Sequence, residues 1–115
     1  MISYEDFKKV EVRAGKILSA EKIPDTDKLI KLSVDFNEKD EQGNPKPRRI
    51  VSGIAMHFID PTVLIGRTCM FVTNLESRTI KGHESHGMLF AVSGPDGAFS
   101  LLEPNNTITP GLLAA

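Results

Sequence analysis

The residues most suggestive of chemistry are His83, Glu84, Ser85 and His86, which lie between two glycines. Histidines that bind zinc around a glutamate are spaced i and i+4 on a helix, whereas these are spaced i and i+3. A serine nucleophile needs glycine two residues before and after it, and His83 stands in the first of those places. Cys69 lies in an apolar run, which is typical of a packed core residue. We therefore expect no catalytic activity, no metal site and no cofactor.

Basic side chains in the middle of the chain are the second group of candidate functional residues, in this case for binding an anionic ligand. The 115 residues carry 14 basic and 15 acidic groups, a net charge of −1, so the large basic excess of many nucleic-acid-binding proteins is absent. Residues 48–81 nevertheless hold five basic groups against two acidic ones, and residues 82–115 hold three acidic groups and no Lys or Arg. Such a segment forms a ligand face if the fold gathers its charges, and is otherwise an ordinary solvated surface.

Length and composition restrict the class of protein. A chain of this length has room for one domain, which we expect to span residues 1–115. One cysteine cannot form an internal disulfide, which favours a reducing compartment such as the cytoplasm. No stretch approaches the apolar length of a membrane span, and the first residues lack the basic and apolar segments of a signal peptide.

Alternating apolar and polar residues predict the elements that must position these groups. A long first strand contains Gly15, which predicts a bulge or bend there. Ser3 and Asp60 can cap short helical turns at residues 3–7 and 61–65, while residues 37–47 form a polar hairpin tip and 76–87 a long loop. The predicted strands cover residues 10–23, 30–36, 48–52, 68–74, 87–92 and 99–102.

The order of these elements predicts an all-β protein. Five or six strands, with a short helix between strands three and four and small N- and C-terminal extensions, match the five-stranded Greek-key barrel called the OB-fold. A bent first strand allows one strand to serve two sheet edges in such a barrel. A small open sandwich is the alternative.

Three stretches, in this order, resemble the tRNA-binding domain family, which includes free-standing dimeric tRNA-binding proteins and the C-terminal domain of bacterial methionyl-tRNA synthetases. The first is Val-Glu-Val-Arg-Ala-Gly-Lys-Ile at residues 10–17. The second is Pro-Asp-Thr-Asp-Lys-Leu at 24–29, continued by residues 32–35 and 50–54. The third is the polar segment 74–89. Together they cover almost the whole chain, and the resemblance implies an OB-fold that forms a homodimer.

The resemblance also implies an RNA-binding site between the fourth and fifth strands. Arg and Lys side chains there would contact phosphates, amide and hydroxyl groups would hydrogen-bond sugars or bases, and Met88 would offer an apolar surface. The matching residues are Asn74, Arg78, Lys81, Ser85 and Met88. We add Lys28, Lys31 and Arg49 as candidate phosphate contacts from neighbouring strands.

The expected function is structure-specific tRNA binding, in which the protein assists an aminoacyl-tRNA synthetase in trans. Glu76, Ser77 and Thr79 replace Lys, Arg or Pro residues that many relatives carry, and Ile23 replaces a histidine, which predicts weaker binding. The polar tract 37–47 also looks longer than usual for the family. A related branch of the family, export-associated chaperones that bind unfolded polypeptide, provides the alternative function. A domain released from a synthetase is a further alternative, although Met1 directly before the first turn favours an independent gene.

Overall fold

The computed structural model describes residues 1–115, which form a barrel of antiparallel strands. Its five-stranded sheet has the order β3-β2-β1-β4-β7, and β5–β6 and β8–β9 form two hairpins. The helical segments are α1 (Tyr4–Phe7) and two 3₁₀ helices, Ala55–His57 and Pro61–Leu64. The strands are β1 (Val12–Lys22), β2 (Ile30–Asp35), β3 (Arg48–Ser52), β4 (Thr68–Val72), β5 (Arg78–Ile80), β6 (His83–Ser85), β7 (Met88–Leu89), β8 (Ala91–Ser93) and β9 (Phe99–Leu101).

The barrel is nearly closed because the chain segment before β7 bonds to the free edge of β3. The backbone N–H of His86 donates to the carbonyl of Arg49 at 2.9 Å, and the N–H of Val51 donates to Ser85 Oγ at 3.0 Å. β7 then pairs with β4 on the other side of the sheet. The OB-fold prediction is therefore confirmed over the open sandwich.

β1 is long because it serves two neighbours in turn. Residues 12–16 pair with β4 and residues 16–22 pair with β2, with a register shift between Ile17 and Ser19. Of the predicted bulge or bend at Gly15, the bulge is wrong for this residue, since Gly15 pairs in register with Cys69 and the register shift comes after Ile17. A Cβ on Gly15 would lie 2.6 Å from side-chain carbons of both Phe36 and Val34, so glycine permits close packing here.

The core follows the alternation that the sequence predicts most clearly, in β2. Ile30, Leu32 and Val34 are fully buried, and Phe36 packs edge-on against Phe71 with ring centroids 5.2 Å apart. Burial of each such side chain stabilises the fold by about 1.5–3 kcal/mol. Their alternate neighbours face outward, and this places polar side chains of β2 on the outer face of the barrel.

Both predicted caps are confirmed. Ser3 Oγ accepts a hydrogen bond from the N–H of Asp6 at 3.1 Å, and Asp60 Oδ1 accepts one from the N–H of Thr62 at 3.0 Å. These side chains satisfy amides that a short helix leaves without an internal partner.

The C-terminal extension pairs with the start of β1. The N–H of Gly111 donates to the carbonyl of Ala14 at 2.7 Å, and the N–H of Ala114 donates to the carbonyl of Val12 at 2.8 Å. The C-terminal tail therefore pairs with the half of β1 that β2 does not reach. No helix in the structure is both long enough and apolar enough to cross a membrane.

Two predicted elements differ from the structure. The long loop predicted at 76–87 contains the β5–β6 hairpin, whose two-residue turn is Lys81-Gly82 with φ of 50° and 83°. The strand predicted at 87–92 is divided at Phe90, since β7 pairs with β4 and β8 pairs with β9. The N–H of Phe90 donates instead to the carbonyl of Met70 at 3.1 Å. A single domain over residues 1–115 stays a prediction.

Candidate nucleic-acid interface

A polar groove of about 850 Å³ lies on the outer face of β1, β2 and β3. Its lining also includes residues 38–39 and 46–47 of the β2–β3 loop, together with Leu75 and His86. Five basic and two acidic side chains lie among its 13 lining residues, of which only two, Leu32 and Leu75, are hydrophobic. Because its lining is polar and most of its charged side chains are basic, the groove suits an anionic ligand better than an apolar one.

Strand register brings Lys31 and Arg49 to this face. Lys31 lies opposite Glu21 and Val51, and Arg49 lies opposite Ser33. Side chains that are directly opposite in an antiparallel pair share a face of the sheet. Neither Lys31 nor Arg49 belongs to any of the five ion pairs in the structure. Their charges are therefore available to a ligand.

Arg48, next in sequence to Arg49, is used within the fold. Its Nε and Nη2 donate to the carboxylate of Glu38 at 2.8 and 2.7 Å. Its Nη1 donates to the carbonyls of Thr73 at 2.6 Å and His86 at 3.1 Å, and its guanidinium lies over the Phe36 ring. The Arg48 hydrogen bond lowers the pKa of Glu38, and the same bond raises the pKa of Arg48. Arg48 therefore holds three chain segments together at the end of the groove.

The β5–β6 hairpin carries two more of the predicted cations. Arg78 lies opposite Ser85 at its base, and Lys81 lies in its turn. Both side chains are exposed and neither is in an ion pair. Because Ser85 is bonded to Val51 of β3, the base of the hairpin is fixed beside the strand that also carries Arg49.

Ser85 and Asn74 use their polar atoms within the fold. Ser85 is 4% exposed, and its Oγ accepts from the N–H of Val51 and donates to the carbonyl of Gly87. Asn74 Oδ1 accepts from the N–H of Glu11 at 2.8 Å, and its Nδ2 donates to the carbonyl of Lys9 at 2.6 Å. The geometry gives both residues a role in positioning the loop, and a direct contact of either with RNA stays a prediction.

The other two predicted residues lie apart from the groove. Lys28 is exposed in the β1–β2 loop, where its carbonyl accepts a hydrogen bond from the N–H of Ala55. Met88 is 45% exposed on β7. Only Lys31 and Arg49 of the eight predicted residues line the groove. The remaining cations lie on the β1–β2 loop and on the hairpin, which correspond to the two loops that flank an OB-fold binding face.

Sequence reasoning did not identify the other residues that line the groove, among them Lys39, Lys46, Leu75 and His86. The local signal for the two lysines was their place in a polar hairpin tip between the strands that carry Lys31 and Arg49. His86 lies in the His-Glu-Ser-His segment, whose spacing does not fit a zinc site, and no local pattern places it in a groove. Its Nε2 lies 3.7 Å from Glu84 Oε2, and both hydrogen bonds of the Ser85 hydroxyl go to backbone atoms.

Curated relatives of this chain include methionine–tRNA ligases. The ligase of Myxococcus xanthus is 49% identical over 111 residues, which are 96% of this chain and 14% of that protein. The ligase of Methanoregula boonei is 45% identical over 111 residues, which are 96% of this chain and 15% of that protein. The chain therefore spans only about one seventh of the length of these relatives.

Solved structures share the fold over the whole chain. A MetRS-related protein from Pyrococcus horikoshii has a TM-score of 0.85 and 36% identity, with 100% of this chain and 98% of that chain covered. The chaperone CsaA of Bacillus anthracis has a TM-score of 0.81 and 26% identity, with 100% and 99% covered. The tRNA_bind family model, which describes a tRNA binding domain, matches residues 12–112. With this match across nearly its full length, the chain belongs to the tRNA-binding domain family.

Proposed function

We propose that this protein binds folded tRNA, with the phosphate backbone lying along the groove on β1–β3 and against the β5–β6 hairpin. The observation that carries the proposal is the pair Lys31 and Arg49, which share one polar groove and have no carboxylate partner. Membership of the tRNA-binding domain family and methionine–tRNA ligases among the relatives support it.

Phosphate contacts give affinity with little reading of base sequence. Lys31 and Arg49 would contact phosphates within the groove, while Arg78, Lys81 and Lys28 would do so from the flanking loops. With two to four of these five cations in contact with phosphates at one time, the slope of log K against log salt is roughly −2 to −4 for one protomer. Glu76 adds a negative charge close to Arg78 in sequence and opposes this attraction.

Recognition of this kind favours a folded RNA. Structured RNA is recognised largely by shape and by its backbone, because its folded form sets the positions of the phosphates. We propose that the protein assists an aminoacyl-tRNA synthetase in trans, in the cytoplasm, and catalyses no reaction itself. The matching family is defined by binding and not by catalysis.

We also propose that two copies form a homodimer. Tyr4 and Phe7 of α1 are 71% and 54% exposed, and Leu112 and Leu113 of the tail are 54% and 56% exposed. α1 precedes β1 directly, and the tail pairs with the start of β1, so both apolar groups lie at the same end of this strand. A twofold contact is the commonest way to bury such a surface. Light scattering at tens of micromolar protein would contradict the proposal if it gave the mass of one chain.

Chaperone activity is the second candidate function, and exposed apolar residues between β3 and β4 favour it. Met56, Ile59 and Val63 are 73%, 94% and 55% exposed. Extended apolar surfaces of this kind can bind unfolded polypeptide. The structural neighbours include the chaperone CsaA. The basic groove has no role in this alternative.

One competition experiment distinguishes the two functions. A fluorescently labelled folded tRNA is titrated with the protein by anisotropy, and is then competed with unlabelled folded tRNA, the same tRNA kept unfolded, or a reduced and carboxymethylated polypeptide. We expect a dissociation constant of about 1–10 μM at physiological salt, a binding free energy of about −7 to −8 kcal/mol, with folded tRNA the best competitor. Binding of the polypeptide, with no tRNA binding at low salt, would establish the chaperone function instead.

A further inference from the structure

The β2–β3 loop, residues 37–47, is an ordered extension of its hairpin. Asp40 Oδ1 accepts hydrogen bonds from the N–H groups of Gln42 and Asn44, both at 2.9 Å, and the N–H of Asp40 donates to the carbonyl of Asn44. A further backbone bond runs from the N–H of Lys46 to the carbonyl of Glu38 at 3.0 Å. The loop therefore has a defined backbone conformation, which fixes the Cα positions of Lys39 and Lys46.

Lys39 and Lys46 project from this loop along the same groove that Lys31 and Arg49 line. Both lysines are exposed, and neither belongs to an ion pair. The loop's groove-lining carboxylate, Glu38, is already neutralised by Arg48. The two lysines are therefore the only loop side chains that bring positive charge to the groove, and neither is held in an ion pair.

We propose that the β2–β3 loop is a second RNA-binding element, in which Lys39 and Lys46 contact phosphates of the RNA that lies in the groove. This inference rests on the proposed function and adds a contact surface to it. The ligand is a nucleic-acid backbone, since isolated lysines bind phosphate as point charges and make no base-specific fork. The loop would add these contacts to those made by the β5–β6 hairpin.

The two RNA-binding elements are connected through Arg48. The same guanidinium bonds Glu38 at the start of the loop and the carbonyls of Thr73 and His86 on either side of the hairpin. The relative position of the two elements is therefore fixed by a partly buried hydrogen-bond network within the protein. A preorganised site of this kind loses less conformational entropy when RNA binds.

Matched charge-removal variants test the inference in a tRNA anisotropy titration over several salt concentrations. The test variant is Lys39→Ala/Lys46→Ala. The control is Lys16→Ala/Lys22→Ala, which removes the same charge from exposed residues of β1 that do not line the groove. We expect the dissociation constant of the test variant for folded tRNA to be roughly fivefold to twentyfold higher than that of the wild type. The slope of log K against log salt should be shallower by about 1.4–1.8, which corresponds to the loss of two phosphate contacts. The control should retain the slope of the wild type.

Three outcomes are decisive. A test variant with the salt slope of the wild type overturns the role of the loop while tRNA binding itself stands. An equal loss in the test and control variants also overturns it, because the effect is then one of net charge. A wild-type protein that binds no tRNA at low salt overturns the proposed function and this inference with it. Thermal unfolding by circular dichroism should be unchanged in both variants, since all four side chains are exposed.

Discussion

Arg48 and Glu38 form a bidentate ion pair, in which Nε and Nη2 of the guanidinium lie 2.8 and 2.7 Å from the two carboxylate oxygens. The third nitrogen of Arg48 donates to two backbone carbonyls from elsewhere in the chain. Arg49, one residue later, points to the opposite side of β3 and has no ion pair. Of these adjacent arginines, one is used within the fold and the other is free of ion pairs, and we propose that this second one contacts the RNA.

Replacement of each arginine should therefore affect a different property. Arg48→Ala should lower the free energy of unfolding by about 1.5–3 kcal/mol, because it leaves two carbonyls and a carboxylate without a charged donor. Arg49→Ala should change stability by less than about 0.5 kcal/mol, as is usual for an exposed side chain. It should instead weaken tRNA binding by about 1 kcal/mol and flatten the salt slope. Urea unfolding and anisotropy measure the two effects, and a stable Arg48→Ala variant would contradict this division.

The ion pair between Arg48 and Glu38 also predicts that the free energy of unfolding depends on pH in the acidic range. The hydrogen bond from Arg48 holds the pKa of Glu38 below its ordinary value of 4.5, and bonds from Arg13 and Thr73 do the same for Glu11. A depressed carboxyl pKa gives stability that is present above the unfolded-state pKa and is lost as pH falls through the folded-state pKa.

The free energy of unfolding should therefore fall below about pH 4.5, and Glu38→Gln should make that fall less steep. Glu41→Gln is the matched control, since Glu41 belongs to the same loop and has no ion pair. Urea titrations between pH 3 and pH 7 provide the measurement. Equal curves for Glu38→Gln and the wild type would show that the pair contributes nothing to acid stability.

Gly15 provides a test of core packing. Gly15→Ala should destabilise the protein by about 1–3 kcal/mol, because the new Cβ would lie 2.6 Å from the buried side chains of Val34 and Phe36. Gly53→Ala is the control, since a Cβ at that position meets nothing within 4 Å. Thermal unfolding of the two variants measures the difference. Equal stability of both would mean that Gly15 is not needed for close approach.

At Lys81, in the turn of the β5–β6 hairpin, the effect of side-chain charge can be tested separately from that of backbone conformation. Lys81 has φ of 50°, a left-handed conformation that asparagine tolerates better than lysine. Lys81→Asn should therefore keep or slightly raise stability while weakening tRNA binding roughly fivefold through the loss of one phosphate contact. Lys81→Arg retains the cation and should bind like the wild type. If Lys81→Asn bound tRNA as tightly as the wild type, Lys81 would not be part of the interface.

Local patterns in the sequence predict the positions of the strands well, but they do not predict the contacts between residues far apart in sequence. Alternation in β2 identifies both the buried face and the outward position of Lys31. The β5–β6 hairpin escapes detection because its strands are three residues long and its turn has lysine where asparagine or aspartate is usual. The roles of Ser85 and Asn74 depend on partners 34 and 63 residues away in sequence. No local pattern reveals such contacts, and the same is true of the bonds that Arg48 makes.

The salt dependence of tRNA binding tests the central proposal most directly. The affinity of the wild-type protein for folded tRNA is measured between roughly 50 and 300 mM salt, beside the double variant Lys31→Ala/Arg49→Ala. We predict a slope of log K against log salt of roughly −2 to −4 for each protomer engaged, and a slope shallower by about 1.4–1.8 for the variant. A slope near zero for the wild type, or an unchanged slope for the variant, would contradict a phosphate-binding groove on β1–β3.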